Sequence, residues 1–108
     1  MSALRILVVG GFTRLDPYYR DAPPGVEIDA IYVDCPSLEA RAAAADAIVL
    51  VATNVSHPAA AKVRIAARRH GTPLEAALGP SVSRVRASIA AAYLAAKNRQ
   101  REALARSA

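Results

Sequence analysis

Four short apolar runs alternate along this chain with segments whose apolar residues recur at helical spacing. Leu4–Val9 (LRILVV) is β-branched, closes on Gly10-Gly11 and reads as a buried strand followed by a sharp turn. Thr13 to Tyr19 fits a short helix with Pro17 in its first turn, and the Pro-Pro-Gly of residues 21–25 forces a loop. Val26–Val33 alternates in part and predicts a second strand, ended by Asp34-Cys35-Pro36. Ser37 is placed to cap a helix reaching Ala45, with Glu39 near its positive end. Ala47–Ala52 (AIVLVA) is the clearest buried strand. Ser56 is the next N-cap, with Pro58 in the first turn and Gly71 in position to close that helix after His70. Thr72–Leu78 predicts a fourth strand from its place in the alternation, and Gly79-Pro80-Ser81 a turn. From Val82 the chain reads as helix to its end. Val82, Val85, Ile89, Tyr93 and Ala96 form one apolar stripe that fades beyond Lys97, so the last ten residues are expected to project or fray.

Strand and helix in strict alternation predict an α/β fold with a parallel sheet. Right-handed crossovers and helices on both faces give a small three-layer, flavodoxin/Rossmann-like sheet of about four strands in the order 2-1-3-4, followed by a long C-terminal helix. The expected organisation is one domain over residues 1–96 with a basic helical extension or frayed tail over 97–108.

Composition narrows the function classes. Of the 108 residues 54% are apolar, which argues against disorder throughout, yet 26 are Ala, so core volume is scarce. No apolar run is long enough to span a membrane. The start MSALRILVVGG carries a glycine pair where a signal peptide has its cleavage site. Cys35 stands alone, which excludes an internal disulfide and a cysteine-cluster zinc site and makes a reducing cytoplasm the expected location. No pair of acidic residues or His/Asp/Glu cluster suggests a dedicated zinc or calcium site. Residues 1–79 balance eight basic against eight acidic side chains. The net charge of +5 therefore sits in residues 80–108, where Arg84, Arg86, Lys97, Arg99, Arg101 and Arg106 face Glu102 alone. A solvated helix surface is the plain reading of that tail. Contact with nucleic acid or an acidic partner is the alternative, weakened by the lack of any aromatic residue after Tyr93.

Open parallel sheets bind ligands outside the carboxyl ends of their strands, where the strand order reverses. In the expected order that point lies between strands one and three, where Gly10-Gly11-Phe12-Thr13-Arg14 meets Thr53-Asn54-Val55-Ser56-His57. A glycine pair allows close backbone approach, helix-start amides attract anions, and the Arg14 fork suits carboxylate or phosphate. The functional reading is an anion clamp; the plain one is a turn beside a surface arginine. The spacing G-x-G-x-x-G and a Walker lysine are both absent, so neither dinucleotide motif supports binding. His57 opens a helix. Helix N-termini favour neutral imidazole, the form a metal ligand or general base needs. His70, in a last turn, reads as structural, and Ser56 as a cap with no acidic orienter to make it a nucleophile. Asp34 reads as a turn acceptor and Cys35 as a small packed side chain. The Tyr18-Tyr19 pair could present a ring to a ligand.

The same loops resemble a bacterial family, the domain-of-unknown-function family numbered twenty-three twenty-five. The resemblance rests on ILVVGGFTRL at 6–15, with its GG-x-x-R pattern, and on ADAIVLVATNVSH at 45–57, with its T-x-x-S-H pattern. It covers most of residues 4–90, including the basic helix from Lys62 to His70. Asp34-Cys35-Pro36 departs from the glycine-containing turn expected after strand two, and the loop after strand four is also altered. The resemblance implies a His-ligated haem protein with dioxygenase activity on indole-type rings. His57 would be the metal ligand and Arg14 would suit a propionate, with Gly10, Gly11, Thr13, Thr53, Asn54 and Ser56 completing the cofactor site. A domain this small has little interior room for a tetrapyrrole. The expectation is therefore a homodimer that shares the cofactor, formed through the helix over Val82–Ala96. Whether the chain is an enzyme stays open. The alternative is a non-enzymatic α/β module that binds a small anion or nucleotide in a regulatory role.

Overall fold

A computed structural model describes Ala3–Ser107; Met1, Ser2 and Ala108, which the expected domain and extension include, lie outside the described residues. Strands β1 (Leu4–Val9), β2 (Val26–Ile31), β3 (Ala47–Val51) and β4 (Leu74–Ala77) form one parallel sheet in the order β2-β1-β3-β4, as expected. Both central strands are nearly continuous apolar runs because each is covered on both faces. Ile6 and Val8 of β1, with Val49 and Val51 of β3, face α1 (Asp16–Tyr19) and α4 (Val82–Ser107), where Tyr19, Val85, Ile89, Ala92 and Ala96 meet them. On the other face, Leu7, Val9, Ile48 and Leu50 pack under α2 (Leu38–Ala44) and α3 (His57–His70). Those two helices present mostly Ala to the sheet, so the layers close with small side chains.

Element ends depart from the sequence pattern where the ladder runs out. Pairing of β1 with β2 stops at Val9 and Ile31, because Gly10 turns out of the sheet. Residues 32 and 33 then have no strand partner, and Val33 is 71% exposed. Leu78 is 82% exposed for the same reason: β3 ends at Val51 and the chain enters a 3-10 turn over Ala52–Asn54. The expected Ser37 cap is not made. Its hydroxyl lies 3.5 Å from Cys35 Sγ, and no side-chain bond caps α2. Ser56 does cap α3, accepting the Ala59 N–H at 3.3 Å, and Gly71 closes that helix.

α4 neither breaks nor unwinds at Lys97. It continues as an exposed helix to Ser107, built almost wholly of strong helix formers and helped by Glu102 and Arg106 one turn apart. Its 26 residues make a rod of ~39 Å at 1.5 Å per residue. Among the described residues no helix is long and apolar enough to cross a membrane.

Candidate functional site

The reversal of strand order brings the Gly10–Arg14 and Thr53–His57 loops together at the carboxyl ends of β1 and β3, but it does not leave a crevice between them. Gly10 and Gly11 both take φ of 97°. A Cβ at Gly10 would stand 2.8 Å from the Asn54 carbonyl oxygen and 2.9 Å from that of Val51. The Gly10 N–H donates to the Ile31 carbonyl at 2.8 Å and the Gly11 N–H to the Asn54 carbonyl at 3.1 Å. The Phe12 N–H donates to Tyr19 Oη at 3.2 Å, and that hydroxyl donates onward to the Pro80 carbonyl at 2.5 Å.

Three successive amides that could have cradled an anion therefore serve the fold. The Gly10 and Gly11 amides are taken by the Ile31 and Asn54 carbonyls, and the Ala52–Asn54 turn closes on Gly10. Tyr19 does not offer its ring to a ligand. It is fully buried and ties the loop after β1 to the loop before α4, while Tyr18 is exposed.

What remains open is a set of side chains. Arg14 is exposed, and its guanidinium carbon stands 5.0 Å from the centre of the half-buried Phe12 ring. Among the described residues no carboxylate pairs with it. The other arginines before α3 are all paired: Arg5 with Glu27, Arg20 with Asp16 and Arg41 with Asp29. Thr13 and His57 are exposed on the same end of the sheet, His57 as the first residue of α3. Thr53 donates its hydroxyl to Asn54 Oδ1 at 3.0 Å. The Ser56 oxygen is engaged in its cap. Asp34 does not accept from its own turn but pairs with Lys62 Nζ at 3.0 Å. His70 is exposed in the last turn of α3, where its carbonyl accepts from Arg99.

The perturbed acids lie beside this end rather than in it. Asp16 accepts the Tyr32 hydroxyl at 2.5 Å and the Arg20 Nε–H at 2.8 Å. The Tyr32 hydrogen bond, joined by Arg20, holds its carboxyl below the usual range. Burial and the Asp16 charge push the Tyr32 hydroxyl upward. Asp29 is held low by the Arg41 guanidinium, which also donates to the Ala30 carbonyl. The i,i+4 spacing of Asp16 and Arg20 is visible in the sequence; the arrival of Tyr32 from β2's end is not.

Cavities lie elsewhere. An apolar one of 450 Å³ opens between the loop before β2 and α4, lined by Ala22, Pro23, Val26, Ile89, Tyr93 and Leu94. Another, of 420 Å³, opens beside the end of α3. Neither is lined by His57 or Arg14. Among the described residues no group of three or more His, Cys, Asp or Glu side chains could hold a metal ion. No family model matches the chain, and no curated protein and no solved structure matches it either.

Proposed function

We propose that the chain is a non-enzymatic α/β binding module that takes a small anion, a carboxylate or a phosphate group, at the end of β1. Arg14 carries this reading. It is the one arginine ahead of α3 without a carboxylate, and the Phe12 ring holds its fork at the sheet end where ligands of this architecture bind. The Thr13 hydroxyl and the His57 imidazole, both exposed at that end, are the further donors. Because the backbone amides are committed, recognition falls to side chains, and a bidentate guanidinium contact supplies its directional part. Bound anion would stiffen the Thr13–Leu15 turn that leads into α1, which suits a regulatory role.

The test is calorimetry with inorganic phosphate, a nucleoside monophosphate and a dicarboxylate, on the natural chain and on Arg14→Gln. Heat with at least one anion, lost in Arg14→Gln at unchanged circular dichroism, is the expected result. A folded protein that gives no heat with any of them sinks the reading.

Haem is what the family resemblance implies, and the residues of one copy do not fit it. His57 would supply a ligand and Arg14 a propionate partner, but His57 is exposed and borders neither of the cavities described above. A second copy would have to supply the walls. The inner stripe of α4 is spent on its own sheet, so an expected homodimer would use the outward Leu94 and Leu104 instead. Haemin titration of the natural chain and His57→Ala, with light scattering for mass, tests this. A Soret shift that needs His57 and a dimeric mass together would favour haem over the anion reading.

A further inference from the structure

Pairing in the tertiary structure redistributes the charge. Carboxylates along the sheet and in the first half of the chain engage Arg5, Arg20, Arg41, Lys62 and Arg86. Arg64 and Arg68, which the sequence had balanced against those acids, are left without partners among the described residues. They stand one turn apart on the same flank of α3 and line an open groove of 420 Å³ floored by Ala67, Gly71, Thr72 and Leu74. Arg99 comes to the same place from the opposite face of the sheet. Its guanidinium donates to the His70 carbonyl at 2.8 Å, and it lies 3.7 Å from where a Gly71 Cβ would be. Arg106 continues the Arg99 flank of α4 two turns further on, with Glu102, the one acid of that stretch, 4.0 Å from it.

We propose that Arg64, Arg68 and Arg99 form a docking site for the phosphate backbone of a nucleic acid, extended by the projecting end of α4. This site is separate from the Arg14 end and does not rest on that reading. Four residues of helix rise ~6 Å, close to two steps of 3.4 Å along one strand of a duplex. The cationic line runs on from α3 across Gly71 and along the exposed end of α4, longer than any single small anion needs. All the groups that form it are guanidiniums, whose forks match phosphate oxygens. The groove floor has no aromatic ring for stacking, and Leu74, its one large apolar side chain, is half-buried. Binding is therefore electrostatic, duplex-tolerant and indifferent to base sequence.

The experiment measures fluorescence anisotropy of labelled duplex and single-stranded oligonucleotides across a salt series, with the full chain. Each phosphate contact contributes about −0.9 to the slope of log affinity against log salt on duplex DNA. Arg64, Arg68, Arg99 and Arg106 together predict a slope of about −3 to −4, which Arg64→Gln/Arg68→Gln/Arg99→Gln should bring to about −1 with at least a tenfold loss of affinity at low salt. Arg84→Gln, outside the groove, should change neither. Circular dichroism checks that the triple variant folds. Three results overturn the proposal: no binding at low salt, binding that the triple variant keeps while Arg101→Gln/Arg106→Gln loses it, or capture by phosphatidylserine vesicles with no nucleic-acid affinity.

Discussion

Replacing Gly10 by Ala tests whether the reversal point is closed, and Gly25→Ala supplies its control. Both glycines hold a positive φ, 97° at Gly10 and 87° at Gly25. A side chain at either therefore meets backbone strain of about 1–2 kcal/mol. The smaller unfolded-state entropy of Ala returns about 0.4–1 kcal/mol. At Gly25 nothing lies within 4 Å of the added Cβ, so the net loss stays near ~1 kcal/mol. At Gly10 the Cβ meets the Asn54 and Val51 carbonyl oxygens at 2.8 and 2.9 Å. Both are backbone atoms that cannot swing aside, and the 3-10 turn would have to shift. Such overpacking adds about 1–3 kcal/mol, for a total near ~3 kcal/mol.

Urea unfolding followed by circular dichroism reads both variants without needing a tryptophan. At roughly 4–8 °C per kcal/mol, melting points should fall by about 5 °C for Gly25→Ala and by 12 °C or more for Gly10→Ala. An unchanged urea slope would show that both variants still unfold from the same compact state. If the two substitutions cost the same, the Asn54 turn does not close on Gly10. The crevice is then open, and the assignment of binding to side chains alone fails with it.

Three further outcomes follow from the same contacts. Tyr19→Phe leaves the part-buried Phe12 N–H and Pro80 carbonyl without their partner and should cost about 1–3 kcal/mol; a melting point within 2 °C of the natural chain would show that the hydroxyl does not tie the two loops. Ser56→Ala should lose about 1 kcal/mol, whereas Ser37→Ala, which caps nothing, should stay within a few tenths; equal losses would contradict this. Asp16 titrates below its ordinary 3.8 because Tyr32 and Arg20 hold its charged form. Its stabilising contribution is thus complete above that value and is lost as pH falls through the lower folded value. Tyr32→Phe should weaken this dependence, so its stability should fall less than the natural chain's between about pH 5 and pH 2; an unchanged acid limb would remove Tyr32 as the main cause.

The class of fold was legible because periodicity is local. Leu4–Val9, but for Arg5, and Ala47–Val51 are continuous apolar runs, and only strands covered on both faces read that way. Strand order then followed from crossover rules and the alternation of elements. The Ser56 cap and the Gly71 close belong to the same local chemistry.

Several features were decided only by tertiary packing. Val33 and Leu78 fall outside the sheet because their neighbours leave it, which no pattern within either segment records. Gly10 and Gly11 look alike in sequence whether their amides face a ligand or a carbonyl; the Ile31 and Asn54 carbonyls, far along the chain, made the choice. Charge shows the same division. Counting along the chain puts the excess in residues 80–108. Pairing across the fold instead frees Arg64 and Arg68 and sets Arg99 beside them, because ion pairs form between neighbours in space rather than in sequence.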